Sequence, residues 1–519
     1  MHCEQKLAEG LYWIGGDDKR LGLFEACHPV PRGMSYNNYL LIDKKVVLFD
    51  TIDRAVEERF FETLEYLLDG RAVDYIIVDH VEPDHSATLG AVASMHPEAK
   101  LVCTKTCKTL IGQFFGPELE ARCMIVGDGD SLSTGTHTLA FATAPMVHWP
   151  EVMVTYDVED KVLFSADAFG SFGGLDGKLF DDMYDFTDEL LDEMRRYYAN
   201  IVGKYGTQVN ELLDKADTLD IKMICPLHGV IIRDNIDLVK SKYRTWASYE
   251  PEDEAVVIAY ASVYGGTRDV AEKLAFKLSD AGIHDLALFD LSVTDPSYVL
   301  SDAFRASNIV LASVTFNADV FPKMKELVDC FVDHNLRRRR FSFIQNGSWG
   351  PIAGKKMMKA VEAIPEHEIV GELFTIKSRM TDEQDGDLDK LAHDIVDSIR
   401  NPEEPIMADV QHVAPEPTPI VGAVKSQAAP PSKEPVRTKD GVPIAPGMEG
   451  KVRPLDTPAG PAEGDEPETK VIQIWRCTFC GYQAEVPKGT DMDTFVCPVC
   501  LKVGPGQFIL VREKIVPVK

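Results

Sequence analysis

The chain has 519 residues, 45% of them hydrophobic, which is enough for more than one buried core at about 100–200 residues per domain. Its 54 Lys and Arg stand against 83 Asp and Glu, a formal net charge of −29. That balance excludes nucleic acid or an anionic membrane as the main partner, because both need a basic face.

No run of about 18 apolar residues occurs, and the first residues lack the charged-then-apolar pattern of a leader. A cytoplasmic protein with no membrane partner is therefore expected. Residues 1–250 alternate short β-rich runs (39–42, 45–50, 75–78, 100–103, 124–127, 139–144, 152–157, 161–167) with Gly- and Asp-rich turns. The spacing of apolar residues predicts helices over 56–70 and 189–202, and the whole reads as an α/β sandwich. Residues 251–400 repeat strand and amphipathic helix five times, with strands predicted at 255–262, 286–291, 308–314, 341–346 and 368–376. That order predicts an open, doubly wound parallel sheet with its ligand loops at the carboxyl ends of the strands. The four arginines at 337–340 read as a solvated helix end. Residues 401–468 hold 14 of the 31 prolines, and 401–469 is expected to be a Pro-rich linker. Residues 470–519 form a small terminal module.

Eleven cysteines are too few for a disulfide scaffold in a chain this long. Cys103 and Cys107 are spaced like a redox pair, although ordinary helix-face cysteines explain them as well. Cys477, Cys480, Cys497 and Cys500 make two CxxC knuckles, a strong signal for a tetrahedral four-thiolate metal site holding iron or zinc.

After the apolar run at 75–78 come His80, Glu82, Asp84 and His85, four metal-competent side chains within six residues. A solvated acidic turn would look the same. His148, Asp167 and His228, however, each stand at a further strand-to-loop junction, where a sandwich gathers its site. A second set of signals lies in 251–400. The segment Ser262, Val263, Tyr264, Gly265, Gly266, Thr267 joins a strand to a helix, and such a turn suits a phosphate. Ser313, Thr315 and Asn317 follow the third strand, and Asn346, Gly347, Ser348 and Trp349 follow the fourth.

The pattern H-x-E-x-D-H, then 62 residues to a His, 18 to an Asp and 60 to a His, resembles the flavodiiron proteins. The resemblance implies a metallo-β-lactamase-like αββα sandwich over 1–250, with His80, Glu82 and His148 on one iron. Asp84, His85 and His228 would hold the other iron, and Asp167 would bridge them. Zinc hydrolases of the same superfamily usually carry His where Glu82 stands, and a carboxylate there favours iron. Residues 251–400 resemble flavodoxin. Ser262, Tyr264, Gly265, Gly266 and Thr267 would hold the phosphate of FMN, and the loops at 313–317 and 346–349 its ring. The terminal module resembles rubredoxin in its C-G-Y and C-P-x-C phrasing and in Phe508.

Together these imply an oxidoreductase that reduces O2 to water, NO to N2O, or both, at a non-haem diiron site. Electrons would pass from the rubredoxin-type iron to FMN and then to the diiron site, supplied by an external NAD(P)H-dependent reductase. Head-to-tail homodimers or tetramers are implied as well. Residues near the metals, such as Tyr198 or His28, would decide between O2 and NO. An electron carrier with a structural front domain and a zinc-dependent hydrolase remain the alternatives on the residues alone.

Overall fold

Short apolar strands separated by polar turns bury both faces only by stacking, and the first half of the chain does so. The structure, a computed structural model, describes residues 2–401, 469–477, 483–488, 490, 492 and 508–517. Those up to 401 and those from 469 onward belong to two compact units.

In the first unit a seven-stranded sheet runs Gln5–Ala8, Leu11–Trp13, Tyr39–Ile42, Val46–Phe49, Tyr75–Ile77, Lys100–Cys103, Cys123–Ile125. A five-stranded sheet runs Ser131–Ser133, Thr138–Thr143, Met153–Asp157, Val162–Phe164, Met223–Cys225. They meet face to face: the Phe164 ring stacks on Phe49 at 3.8 Å and meets Tyr39 edge-on at 5.3 Å. Helices Glu57–Leu68, Leu89–Met95 and Lys105–Phe115 connect strands of the first sheet, and Gly206–Ala216 and Ile236–Ala247 flank the last strand of the second. This is the α/β sandwich the alternation predicted, in the αββα form the resemblance implied, and every strand expected in 1–250 overlaps an observed one. The edge pair at 5–8 and 11–13 escapes sequence reading because its strands, four and three residues long, are too short to show an alternation. Pairing of Leu11–Trp13 with Tyr39–Ile42 holds it in place. The helix expected over 189–202 is regular only over Leu191–Tyr197, with wider turns on either side. Cys103 ends a strand while Cys107 lies in the following helix. They therefore do not share a helix face, and both are fully buried.

The third sheet is parallel, in the order Leu286–Asp290, Asp253–Ala261, Ala306–Phe316, Arg340–Asn346, Glu368–Ile369, with Phe374–Ile376 also on Arg340–Asn346. In chain order that is 2-1-3-4-5, the flavodoxin arrangement. The fifth strand breaks in two at Gly371, whose φ of +74° favours glycine. The arginines at 337–340 are not a solvated helix end. They lead into a strand, and Arg339 is 1% exposed. Its guanidinium donates to the carbonyl oxygens of Ala303, Phe304, Tyr249 and Arg337 at 2.6–2.8 Å, tying the third sheet to the end of the sandwich. Burial drives its pKa down to about 9. Arg339→Met would leave those buried carbonyls without a donor. Stability is expected to fall by about 3 kcal/mol, read as a lower urea midpoint.

The second unit contains a three-stranded antiparallel sheet with Thr469–Cys477 between Gln483–Pro487 and Phe508–Pro517. Phe508 is buried and sits opposite Cys477 in register. Cys480, Cys497 and Cys500 lie outside the described residues, as does the linker except for its two end residues.

Candidate functional site

Strand ends supply every one of the seven candidate ligands. Pro83, with φ preset for a first helical residue, starts the single turn Pro83–Ser86 just past strand Tyr75–Ile77. That turn folds His80, Glu82, Asp84 and His85 back over one another. His148 comes from the loop between Thr138–Thr143 and Met153–Asp157. Asp167 and His228 each stand three residues beyond a strand, Val162–Phe164 and Met223–Cys225 respectively.

Asp167 occupies the centre. Its Oδ2 lies 3.1 Å from His148 Nε2 and 3.4 Å from His80 Nε2, while its Oδ1 lies 3.3 Å from His85 Nε2 and 3.8 Å from His228 Nε2. Glu82 Oε2 completes the first trio, 3.1 Å from His80 Nε2 and 3.0 Å from His148 Nε2. Asp84 Oδ2 completes the second, 3.3 Å from His85 Nε2 and 3.2 Å from His228 Nε2. Two clusters of donor atoms thus share one carboxylate, each facing a different oxygen.

The donor set fits two cations. Glu151 Oε1 sits 2.8 Å from His80 Nδ1 and also accepts from the Val81 N–H, so Nδ1 carries the proton and Nε2 presents a lone pair. In the same way His228 Nδ1 donates to the Ser35 carbonyl at 2.7 Å. The His80 and His228 lone pairs facing carboxylate oxygens at 3.1–3.4 Å repel unless positive charge lies between them. Both oxygens of Asp84 and Oδ1 of Asp167 are buried and take no hydrogen bond among the described residues. Such groups are costly without a cation. Burial disfavours charge on His148, yet the carboxylates of Asp167 and Glu82 outweigh it and push its pKa up to about 9. Burial would raise Glu82 and Asp167, but the facing imidazoles hold both below the usual carboxylate range.

Sequence reasoning missed the residues behind the ligands. Glu151 is 1% exposed, and Asp50 accepts from the His80 N–H at 3.1 Å. The available signal was an acid at the mouth of an apolar strand, just after Pro150. Glu151→Ala is expected to free the His80 ring and weaken iron binding about 10–100-fold, measured by chelator competition. Tyr198 does not face the cluster. It packs on Trp246 at 5.2 Å and Phe304 at 6.1 Å, whereas the Tyr197 ring lies 5.7 Å from His228.

The second site is a cleft of about 830 Å3 at the carboxyl ends of the parallel strands, within the range of small-ligand sites. Ser262, Tyr264, Gly266, Thr267, Thr315, Asn317, Asn346, Gly347, Ser348 and Trp349 line it. Gly265 shapes the turn instead, at φ +92°, with its N–H donating to Ser262 Oγ at 3.1 Å. Ser313 is fully buried beneath the loop, where its Oγ accepts from the Phe321 N–H. The Asn346 side chain clamps the turn: it donates to Thr267 Oγ1 at 3.2 Å and to the Ser378 carbonyl at 3.1 Å, and accepts from the Ser378 N–H at 3.0 Å. A Cβ on Gly266 would stand 2.1 Å from the Ser378 carbonyl oxygen, so only glycine allows this approach. The helix Gly266–Asp280 opens here and offers its first N–H groups to an anion. Tyr264 and Trp349 are 99% and 97% exposed, leaving two aromatic faces for a planar ring. Lys355 and Ser378 also line the cleft and were not anticipated.

A model of the ODP family beta lactamase matches residues 34–229. The anaerobic nitric oxide reductase flavorubredoxin of Vibrio vulnificus is 30% identical over 349 residues, 65% of this chain and 69% of that protein. The nitric oxide reductase of Moorella thermoacetica is 32% identical over 350 residues, 66% of this chain and 85% of that one. Among solved structures, the rubredoxin oxygen:oxidoreductase of Desulfovibrio gigas is 25% identical with a TM-score of 0.73, covering 77% of this chain and 99% of its own. The flavodiiron protein of Giardia intestinalis is also 25% identical, with a TM-score of 0.72 over 77% of this chain and 98% of its own.

Proposed function

This chain belongs to the flavodiiron family of oxidoreductases, and from that premise we propose that it reduces NO to N2O, O2 to water, or both, at the seven-residue cluster. One observation carries the reading: each oxygen of Asp167 faces its own trio of donors. His80, Glu82 and His148 would hold one iron, Asp84, His85 and His228 the other, with Asp167 bridging. When bound, two ferrous ions and reduced FMN supply four electrons, matching O2 + 4e− + 4H+ → 2H2O, while 2NO + 2e− + 2H+ → N2O + H2O needs two.

The chain's own residues set the conditions for that chemistry. Glu151 and the Ser35 carbonyl keep protons on His80 Nδ1 and His228 Nδ1, so both Nε2 atoms stay available. The rings of Phe24, Tyr36, Trp149 and Tyr197 pack within 5.3–5.7 Å of His80 or His228 and limit water around the cluster. Among the described residues the buried Tyr197 hydroxyl has no hydrogen-bond partner, which leaves it able to donate to a small bound oxygen- or nitrogen-containing molecule. In the cleft, the turn at 262–267 and the Asn346 clamp would hold the FMN phosphate, with Tyr264 and Trp349 against the ring.

The finer assignments follow as part of the same proposal. The diiron domain would cover 1–250, the FMN domain 251–400, the linker 401–469 and a rubredoxin-like module 470–519. Cys477, Cys480, Cys497 and Cys500 would bind the iron that passes electrons inward from an external NAD(P)H-dependent reductase. We expect a cytoplasmic head-to-tail homodimer or tetramer. Among the described residues no helix is long and apolar enough to cross a membrane. The test is anaerobic reduction followed by metered O2 or NO, with iron and FMN counted per chain. Rapid consumption of either gas supports the reading. Zinc in the cluster with neither gas consumed refutes it.

A further inference from the structure

A tight hairpin beside the cluster gathers three more metal-competent side chains. Strands Leu23–Phe24 and His28–Pro29 pair with Phe24 opposite His28, and the Cys27 N–H closes the turn onto the Phe24 carbonyl at 3.1 Å. Glu25 and Ala26 adopt φ of +48° and +58°, a conformation that costs non-glycine residues about 1 kcal/mol each. That turn brings a Glu25 carboxylate oxygen, Cys27 Sγ and a His28 ring nitrogen within 4.8 Å of one another. The Phe24 ring meets His228 edge-on at 5.3 Å and the His28 ring lies 5.9 Å from Phe172, so the hairpin is anchored on the sandwich.

The Cys27 sulfur accepts from the His28 backbone N–H, an interaction that favours its thiolate. Among the described residues neither the Glu25 carboxylate nor the His28 ring takes a hydrogen bond. Their only mutual approach is 3.9 Å, too long for one. A second convergence, His137, Asp157 and Glu159, differs in this respect. There Asp157 already accepts from His137 and from the Glu159 N–H, and Glu159 from Thr138. Burial holds the His28 pKa down at about 4, so its ring is neutral near neutral pH, while burial pushes the Glu25 carboxyl up to about 7 and raises the Cys27 thiol, so a bound cation would displace protons from both.

We propose that Glu25, Cys27 and His28 form an additional site for a single Zn2+ ion, with water as the fourth ligand. One thiolate, one imidazole and one carboxylate make a borderline-soft set, which suits zinc over magnesium or calcium. Three protein ligands with an open fourth position match zinc sites that are not purely structural. The site goes beyond the proposed function, but Glu25 feels the charges of Glu82, His148, Asp84 and Asp167, so the test keeps the seven-residue cluster loaded throughout.

The test uses the full chain loaded with iron and FMN, incubated anaerobically with Zn2+. Alkylation of Cys27 by iodoacetamide, followed on its peptide by mass spectrometry, is expected to slow at least about tenfold, because coordination removes the nucleophilic thiolate. His28→Gln and Glu25→Gln should restore the rapid rate. Zinc retained after gel filtration should exceed that of Cys27→Ser by one equivalent, with iron unchanged. An alkylation rate indifferent to zinc overturns the proposal. So does protection that survives His28→Gln, or zinc uptake that Cys27→Ser keeps in full.

Discussion

Replacing Asp167 with Ala is expected to empty the cluster and lower NO and O2 consumption by at least about 100-fold. Both trios depend on this side chain, since His80 and His148 face one of its oxygens and His85 and His228 the other. Without it, the bonds and charge shared between the two halves disappear together. Iron counted per chain and gas consumption should therefore fall in step, while FMN content stays unchanged because the cleft lies on a different sheet. Glu151→Ala is milder by the same logic, because it releases one ring and removes no ligand. The contrast between the two variants separates loss of a ligand from loss of a ligand's orientation.

Gly266→Val should abolish FMN binding and leave the iron in place. The first Cβ atom alone would sit 2.1 Å from the Ser378 carbonyl oxygen, inside any van der Waals contact, and that carbonyl is fixed by the Asn346 side chain. The loop must swing away from Asn346, which breaks the bond to Thr267 Oγ1 and scatters the N–H groups aimed at the phosphate. A loss of at least about 100-fold in FMN affinity is expected, about 2.8 kcal/mol at 1.4 kcal/mol per tenfold. Fluorescence titration of the apoprotein with FMN measures it. Reduced substrate turnover with full iron content would be the matching activity phenotype.

The elements that place the sites were legible because each rests on a strong local signal. Buried strands such as Val46–Phe49 and Tyr75–Ile77 are continuous apolar runs, and ligand-type residues just beyond strand ends have few competing roles. Four candidate ligands lie within six residues of one loop, so their convergence needed no tertiary knowledge. What escaped depends on packing between distant segments. Nothing local says that Glu151 is buried against His80, or that Arg339 spends its guanidinium on carbonyls contributed by three stretches of chain. Tyr197 and Tyr198 are adjacent and chemically identical. Each residue along a helix turns the side-chain direction by about 100°, and only the packing of Leu191–Tyr197 decides which ring meets His228. Ser313 lies two residues deeper in its strand than Thr315, and that small difference places its hydroxyl under the loop while Thr315 lines the cleft.

Diffraction from reduced, iron-loaded crystals at energies spanning the iron K edge tests the account most directly. It predicts two anomalous peaks flanking Asp167, one enclosed by His80, Glu82 and His148 and the other by Asp84, His85 and His228. A single peak, or signal that appears only at the zinc edge, would contradict it.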